Sequence, residues 1–190
     1  MTPRKKKTEE PPPAEAPSEA ASTPDHDVVE VSEETVPMLD SNKMVVFFLE
    51  GQRYALPIGR VQEIQQIVAY TEMPDESGVT LGMVNMRGLV VPLVDMRALL
   101  GLQPARFALD TPMVICRLGG QLVALVVDEV EDVTEMPEGC LQRPSKMHAL
   151  ADRLLGVCRM EAELIFLLDL DRLMSADGLM PVAPGGGGRP

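Results

Sequence analysis

One sequence pattern occurs twice in this chain, and the duplication restricts the folds that the chain can adopt. The pattern L-x-G-Q-x-x-A-L at residues 49–56 recurs 69 residues later, at 118–125. A second pattern, L-G-x3-M-x6-L-x-D at residues 81–95, recurs 74 residues later, at 155–169. Because both pairs come in the same order, they indicate two copies of one unit. Each copy has about 55 to 60 residues, close to the smallest independent core, so we expect the copies to pack together.

Both units have the pattern of β-structure, with short apolar runs separated by turn residues. The predicted strands cover residues 44–49, 53–56, 61–68, 81–85, 89–94, 113–118, 122–127, 130–134 and 164–168. A short helix is predicted at residues 149–154, and short Leu-rich helical stretches follow Asp95 and Asp169. Since most connections are short, the predicted fold class is all-β with minor helix, arranged as two packed, pseudo-symmetric barrels.

The domain organisation follows from composition. Residues 1–43 are acidic, rich in Pro and poor in large apolar residues, so they cannot bury enough surface to fold and are predicted to be disordered. This leader is either a tether or docking tail, or a solvated segment without a specific role. The folded part is predicted at residues 44–175, with repeats at about 45–100 and 114–174. Residues 176–190 are predicted to form a flexible C-terminal tail.

Charge and composition exclude several classes of partner. The formal net charge of −12 repels nucleic acid phosphates and anionic membrane surfaces. No apolar run is long enough to cross a bilayer, and the basic N-terminus is followed by acids and prolines instead of the apolar core of a signal peptide. We therefore expect a cytoplasmic protein without direct membrane insertion. Cys116, Cys140 and Cys158 contain no C-x-x-C pair, which favours separate thiols in a reducing compartment over a disulfide or a zinc site.

No catalytic constellation is recognisable in the sequence. Neither His26 nor His148 has the neighbours of a triad or a metal site. Asp95 and Asp169 each precede a helical stretch, and their presence in both copies favours N-capping over catalysis. The acidic run at residues 128–132 could bind a cation, but strand alternation would divide its side chains between two faces, which favours a solvated strand edge. The sequence therefore predicts neither an enzyme nor a metal or cofactor.

The two copies differ at one turn. The first has N-M-R-G at residues 85–88, and the second has R-M-E-A at residues 159–162. An Arg with a purely architectural role would be expected in both, so Arg87 is a candidate contact residue whose guanidinium can reach a carboxylate or carbonyl of a partner. The alternative, an exposed Arg that neutralises a nearby acid, stays open. Ile64, in a run that alternates with polar residues, is interpreted as half-buried core.

Two long strings together resemble the CheW-like domain family. They are F-x-L-x-G-x-x-Y-A-L-P-I-x-x-V-Q-E-I at residues 47–64 and G-x-V-N-M-R-G-L-V-V-P-L-V-D-M-R at residues 82–97, and V-V-D-E-V at residues 126–130 also fits the second half of the family. The likeness covers nearly all of residues 44–175 and neither tail. It implies two packed, five-stranded SH3-like β-barrels, in agreement with the duplication.

The resemblance also implies a function and a set of partners. Proteins of this family bridge the cytoplasmic tips of chemoreceptors and the regulatory domain of a CheA-type histidine kinase in a signalling array, without chemistry or a cofactor of their own. Carried over by position, the receptor-binding residues are Val61, Glu63, Gly82, Asn85, Arg87 and Gly88, and Val130 marks the patch that faces the kinase. Gly82 has a counterpart in Gly156, so a purely conformational role stays open for it.

Three alternatives remain at this point. The chain could be the adaptor of a chemosensory pathway other than motility. It could be a small-ligand sensor whose pocket is the aliphatic space between the lobes. It could also be an enzyme that uses Asp95, Asp128 and Asp169, with or without a metal ion. Which receptors and kinase the protein serves is not encoded in any recognisable motif.

Overall fold

The computed structural model of the protein describes residues 31–35, 41–73, 77–108, 110–144, 149–160 and 162–176. The strands in this part of the chain are β1 (Val31–Thr35), β2 (Lys43–Leu49), β3 (Gln52–Pro57), β4 (Val61–Gln66), β5 (Tyr70–Glu72), β6 (Thr80–Met86), β7 (Leu89–Asp95), β8 (Pro112–Leu118), β9 (Gln121–Val126), β10 (Glu129–Glu135), β11 (Leu141–Pro144), β12 (Leu154–Met160) and β13 (Glu163–Leu168). The α-helices are α1 (Met96–Leu100) and α2 (Leu170–Ala176), and single 3-10 turns lie at Ile58–Arg60 and Ala151–Arg153.

The described strands form two sheets with matching order. Sheet A has the order β1-β11-β12-β13-β3-β2-β10, and sheet B has the order β5-β6-β7-β9-β8-β4. If β1 is set aside, each strand of sheet A has its repeat partner at the same place in sheet B. The predicted class, a pseudo-symmetric all-β fold with minor helix, is confirmed. Each sheet carries one edge strand, β11 or β5, beyond the five of the predicted barrel.

The sheets do not coincide with the two sequence repeats, because the repeats exchange hairpins. Hairpin β2–β3 belongs to the first repeat but lies in sheet A, where β3 pairs in parallel with β13. Hairpin β8–β9 belongs to the second repeat but lies in sheet B, where β9 pairs in parallel with β7. All other strand pairs in the described chain are antiparallel. Each sheet is therefore built from both halves of the chain.

Three clusters of buried side chains explain why the strands read as continuous apolar runs. A central core joins the two sheets and includes Phe47, Leu56, Leu118 and Leu168. A second cluster belongs to sheet A, and a third to sheet B. Along β2, for example, Met44 and Val46 face the cluster of sheet A, whereas Phe47 and Leu49 face the central core. Because both faces of such a strand are buried, alternation between apolar and polar residues is lost.

Most of the predicted strands are present, with ends shifted by a few residues. The predicted helix at residues 149–154 is reduced to the 3-10 turn at Ala151–Arg153. Strands β5, β11 and β12 were not predicted. The first two have only three and four residues, which is too short for a periodic signal, and β12 is interrupted by Gly156, which weakens a strand pattern. The predicted domain limits stay a prediction.

Strand β1 lies in the leader for which the sequence predicts disorder. Residues 31–35 pair antiparallel with β11, with Val31 opposite Pro144 and Thr35 opposite Gln142. This pairing is possible because the outer edge of β11 offers backbone groups to a further strand. The predicted disorder of the leader as a whole stays a prediction. The rest of the predicted leader, apart from residues 41–43, and the predicted C-terminal tail beyond Ala176 lie outside the described residues.

The prediction that all three cysteines are separate thiols is wrong. Cys140 and Cys158 form a disulfide between positions 18 residues apart, and Cys116 is a free, buried thiol. The physical reason is strand pairing: Cys140 directly precedes Leu141 of β11, which lies opposite Cys158 of β12. No local spacing in the sequence shows this neighbourhood, because β11 was not recognisable as a strand.

The predicted caps of both helices are present. One carboxylate oxygen of Asp95 accepts hydrogen bonds from the backbone N–H groups of Arg97 (2.8 Å) and Ala98 (3.4 Å). Asp169 accepts one from Arg172 at 3.1 Å. These bonds satisfy N–H groups that have no partner within the helix, as expected of an N-cap. No helix among the described residues is long and apolar enough to cross a membrane.

Candidate functional site

The turn between β6 and β7 is a two-residue hairpin turn whose residues are Arg87 and Gly88. Met86 lies opposite Leu89 in the register, and both turn residues have positive φ, 53° for Arg87 and 88° for Gly88. Positive φ at both positions is the requirement of a type I′ turn, which suits Gly but strains most other residues. The side chain of Asn85 supports the turn by accepting a hydrogen bond from the N–H of Gly88 at 2.8 Å. The turn thus holds Arg87 at the tip of the hairpin.

The guanidinium of Arg87 lies beside strand β4. Its Nη2 is 2.8 Å from Oε2 of Glu63, while 82% of the Arg87 side chain remains exposed. A second contact, between Nε2 of Gln65 and Sδ of Met86 at 3.0 Å, joins the same two strands. Since β4 and β6 stand near opposite ends of the strand order, these contacts close sheet B on itself. An ion pair as exposed as this one contributes little to stability, so Arg87 remains free to engage a partner.

Exposed apolar side chains lie on the same strands as this ion pair. Leu89 is 59% exposed and Val90 is 72% exposed at the start of β7, and Ile64 on β4 is 41% exposed. We call Arg87, Leu89, Val90, Glu63 and Ile64 the hairpin surface. Exposed apolar side chains beside an Arg make this surface a candidate for protein binding, because Arg is one of the residues that contribute most to binding energy at interfaces.

The predicted receptor-binding residues differ in exposure: some lie on the surface of the turn, and others are half-buried or buried beneath it. Asn85, Arg87 and Gly88 are exposed in the turn, and Glu63 is half-buried against Arg87. Val61 is half-buried and packs against the central core. These positions lie on adjoining parts of β4 and the β6–β7 turn.

Gly82 has a conformational role, because it lies against the backbone of the neighbouring strand β5. A Cβ atom at this position would lie 2.1 Å from the backbone oxygen of Thr71 on β5, and its φ is 154°. Gly156, its counterpart, is also crowded, by the side chain of Leu141 at 2.7 Å and the backbone oxygen of Gln142 at 2.8 Å, both on β11. Both glycines allow an edge strand to approach closely. Gly82 is also buried, and its predicted part in receptor binding stays a prediction.

Val130, the predicted marker of the kinase-facing patch, is half-buried and packs against the central core. Its strand, β10, is the last strand of sheet A, and its acidic residues are exposed, in agreement with the predicted solvated edge. The exposed apolar side chain on β10 is Val133, at 44%. If this edge contacts a partner, Val133 is therefore better placed for the contact than Val130.

Sequence reasoning missed the apolar part of the hairpin surface. Ile64 was interpreted as half-buried core, but it lies on the exposed face of β4. Leu89 and Val90 belong to an apolar run that continues to Val94, so no polar residue shows that the run begins outside the core. One signal was present, however: the counterpart of Leu89 is Glu163, and a charged residue in one copy indicates a solvent-facing position in the other.

The three acids of the enzyme alternative have separate structural roles. Asp95 and Asp169 cap different helices. Asp128 receives two hydrogen bonds from Arg97, at 2.7 and 2.6 Å, and one from the N–H of Glu50 at 2.7 Å. The hydrogen bond and charge of Asp128 raise the pKa of Arg97 above its usual value. No group of His, Cys, Asp and Glu suited to a metal occurs among the described residues.

Among the described residues, side chains of the central core pack between the two sheets, where a ligand sensor would need a pocket. An open groove of about 780 Å³ lies instead on the surface beside the C-terminal end of α1. Its apolar lining consists of Phe48, Tyr54, Leu100, Leu102, Ala149, Leu150, Ala162, Leu164 and Phe166. We call it the α1 groove.

Comparison with known proteins agrees with this geometry. The family model of the CheW-like domain matches residues 43–178. The chain belongs to the CheW-like domain family. The predicted resemblance is thereby confirmed, and the match includes the whole hairpin surface and both sheets apart from β1.

Individual members of the CheW-like family show the same relationship. The chain is 27% identical over 135 residues to the probable chemotaxis protein CheW of Rhizobium etli, covering 70% of this chain and 87% of that protein. It is 26% identical over 138 residues to the chemotaxis protein CheW of Klebsiella aerogenes, covering 71% and 82%. The crystal structure of the scaffolding protein TtCheW from Thermoanaerobacter tengcongensis matches with a TM-score of 0.65 and 27% identity, covering 73% of this chain and 89% of that one.

Proposed function

We propose that this protein is a chemotaxis coupling adaptor without enzymatic activity, which joins chemoreceptor cytoplasmic tips to a CheA-type histidine kinase in a signalling array. Membership of the CheW-like family supports the proposal, as do the names of its relatives, which are chemotaxis and scaffolding proteins. The observation that carries it is the hairpin surface, where an exposed Arg87 is held in a strained turn among exposed aliphatic side chains. In this proposal the protein acts in the cytoplasm and reaches the membrane only through its partners.

The hairpin surface is the proposed receptor contact. Arg87 supplies charge and hydrogen-bond donors, Leu89 and Val90 supply apolar area, and Asn85 and Gly88 keep the turn in shape. Val61 and Gly82 support this surface from within. The edge of sheet A at β10, with Val130 beneath it and Val133 outside it, is the proposed kinase contact.

An adaptor of this kind works by coupling two binding events. The hairpin surface lies on sheet B and β10 lies on sheet A, while the central core and the exchanged hairpins join the sheets. Binding at one sheet can therefore alter the affinity at the other by a coupling free energy on the order of 1–3 kcal/mol. Coupling of this size needs no chemistry from the adaptor itself.

The decisive experiment is a calorimetric titration of a chemoreceptor cytoplasmic tip with wild type, Arg87→Glu, and the charge exchange Arg87→Glu with Glu63→Arg. The exchange restores the internal ion pair but leaves the wrong charge at the tip of the hairpin. If Arg87 contacts the receptor, both variants lose affinity by tenfold or more, about 1.4 kcal/mol. Arg159→Glu, which changes an exposed Arg on β12 of sheet A, is the matched control and should bind normally.

Two results would contradict the assignment in different ways. Recovery of affinity by the charge exchange would show that Arg87 only neutralises Glu63, and the contact would have to lie elsewhere. Failure of folded wild type to bind either a receptor tip or a CheA regulatory domain would mean that the family fold is present without the proposed function. Circular dichroism of each variant shows whether the fold is intact.

A further inference from the structure

The Cys140–Cys158 disulfide joins two residues that differ in exposure. Cys158 is fully buried and belongs to the apolar cluster of sheet A. Cys140 packs against the same cluster but is only half-buried. Of the two linked residues, therefore, Cys140 is the one that reaches the solvent.

A surface turn precedes β11 and places Cys140 at the border of the sheet. Residues 137–139 are exposed, and the N–H of Cys140 donates a hydrogen bond to the carbonyl oxygen of Pro137 at 3.2 Å. Gly139 has a φ of 75°, which glycine adopts without strain. This turn is the side from which a reagent in solution can reach the disulfide.

The fold can hold the same edge strand without a covalent link. The positions of sheet B that correspond to Cys140 and Cys158 are Ala69 and Val84, and β5 nevertheless pairs there with β6. An opened disulfide in sheet A is therefore compatible with a folded protein, which a reversible reaction at this place requires.

We propose that Cys140 is a site of thiol–disulfide exchange with a low-molecular-weight thiol. The thiolate of that compound attacks Sγ of Cys140 and forms a new S–S bond. The bond to Cys158 breaks, and Cys158 leaves with the electron pair and takes up a proton, so that the thiol is oxidised as Cys158 is reduced. In the reverse step Cys158 loses this proton, attacks Sγ of Cys140 and releases the thiol, so that no other oxidant is needed.

Attack at Cys140 is favoured because the rate of exchange depends on access to the sulfur that is attacked. A thiol buried among apolar side chains is unreactive, so the released Cys158 does not compete as a second site. In a reducing cytoplasm, disulfides are usually transient. The presence of such a compartment rests on the proposed function, whereas the exchange itself does not.

Exchange at Cys140 acts on the outer strands of sheet A. Strand β11 pairs with β12 through Leu141 opposite Cys158 and Gln142 opposite Val157, and in the described chain β1 pairs with β11 alone. Loss of the covalent link leaves this short ladder to hold both strands. The opened form therefore has a looser β11 and, through it, a looser β1.

Two full-length variants test which sulfur reacts. Cys158→Ala retains the half-buried Cys140, and its matched control, Cys140→Ala, retains the buried Cys158. Each is incubated with bis(2-hydroxyethyl) disulfide, and peptide mass mapping follows the mixed disulfide. We expect Cys140 to react at least tenfold faster than Cys158, while the buried Cys116 stays unmodified in both folded chains. Equal rates, or a faster reaction at Cys158, would overturn the proposal.

Wild type provides a test that needs no substitution. The folded protein is treated with 2-mercaptoethanol without denaturant, quenched with acid and mapped. The expected product has the 2-mercaptoethanol adduct on Cys140 and a free thiol at Cys158. An adduct on Cys158, or a disulfide that opens only when the protein unfolds, would contradict the assignment.

Hydrogen exchange measures the effect on the strands. After reduction with dithiothreitol, peptides that cover β11 and β1 should exchange at least tenfold faster, and β5 of sheet B, the control, should not change. Unchanged exchange in β11, or equal acceleration in β5, would overturn the local effect. None of these measurements involves a receptor or a kinase, so their outcome is independent of the proposed function.

Discussion

Asp95 is the single charged residue with a buried side chain in the described part of the chain, and its surroundings act on it in opposite directions. Burial raises the pKa of its carboxyl group above the usual value, and the charge of Asp128 adds to this, while the N–H groups of Arg97 and Ala98 and the charge of Arg97 lower it. Burial dominates, so the folded protein holds the proton of Asp95 more tightly than the unfolded chain. Its contribution to stability is therefore greatest below the unfolded pKa and falls as the pH rises through the folded pKa.

The raised pKa of Asp95 gives a prediction for Asp95→Asn. The amide keeps an oxygen that can cap α1 but cannot ionise, so the variant should gain stability relative to wild type as the pH rises from about 3 to 7. Asp95→Ala, which loses the cap, should be less stable than Asp95→Asn by about 1 kcal/mol. Urea denaturation at several pH values measures both differences. A relative stability of Asp95→Asn that declines with rising pH would mean that the pKa is lowered in the folded protein.

Gly82 leads to a second prediction at this scale. In Gly82→Ala the new methyl group would overlap the backbone of Thr71, and a backbone cannot move aside as a flexible side chain can. We expect a loss of about 2–3 kcal/mol in the free energy of unfolding. Gly59→Ala is the control, because its Cβ would have no heavy atom within 4 Å, and it should be close to neutral. Any loss of receptor binding by Gly82→Ala should be proportional to its loss of folded protein. If the variant is as stable as wild type but binds more weakly, Gly82 belongs to the contact surface.

At the level of elements, the Cys140–Cys158 disulfide belongs to sheet A, and the equivalent positions of sheet B have no cysteines. The residues of sheet B that correspond to Cys140 and Cys158 are Ala69 and Val84, and β5 still pairs with β6 there. The covalent link is therefore an addition to an edge strand that the same fold holds elsewhere by hydrogen bonds and packing alone. It joins the segment after β10 to β12, and so restrains the side of sheet A that includes the edge strands β11 and β1.

Reduction of this disulfide should lower the free energy of unfolding by about 3 kcal/mol, as expected for the release of a loop of this length. Denaturation with and without a reductant measures the difference, and Cys140→Ser should abolish the dependence on reductant. Cys116 is an internal control: burial raises the pKa of its thiol to about 12, so it should resist labelling until the protein unfolds. An equal response of wild type and Cys140→Ser to the reductant would disprove the link.

The elements also show what a sequence of this kind can and cannot predict. The hairpins and the caps were predictable because local rules decide them: glycine in the turns, and an aspartate before each helix. Arg87 was predictable because the second copy has Glu161 in its place, and the two copies act as a comparison within one chain. The exposure of Leu89 and Val90 was not, since it depends on where the core ends along a run of uniform apolar residues. The disulfide was not predictable either, because it depends on the position of β11, and a strand of four residues is too short to give a recognisable sequence pattern.

For the whole molecule, the exchange of hairpins makes the two repeats dependent on each other. A fragment of residues 41–108 would contain β2 and β3 without β13 and β10, and the rest of sheet B without β8 and β9. We expect this fragment and the fragment 109–176 to be unfolded when separate, and to form a 1:1 complex with a native-like circular dichroism spectrum when mixed. Cooperative unfolding of either fragment alone would show that a repeat can fold without its neighbour.

The parallel seams β3–β13 and β7–β9 have a consequence for the origin of the molecule. A chain with only one repeat could have completed its sheet only by lending a hairpin to a second copy and accepting one in return, as in a domain-swapped dimer with twofold symmetry. Fusion of two such copies turns a contact between subunits into the interior of one chain. In such a fused chain, each half can diverge on its surface while the interior stays shared. The acidic strand β10 is the counterpart of β4, which carries the ion-pair partner of Arg87, so this origin would derive both surfaces from a single face.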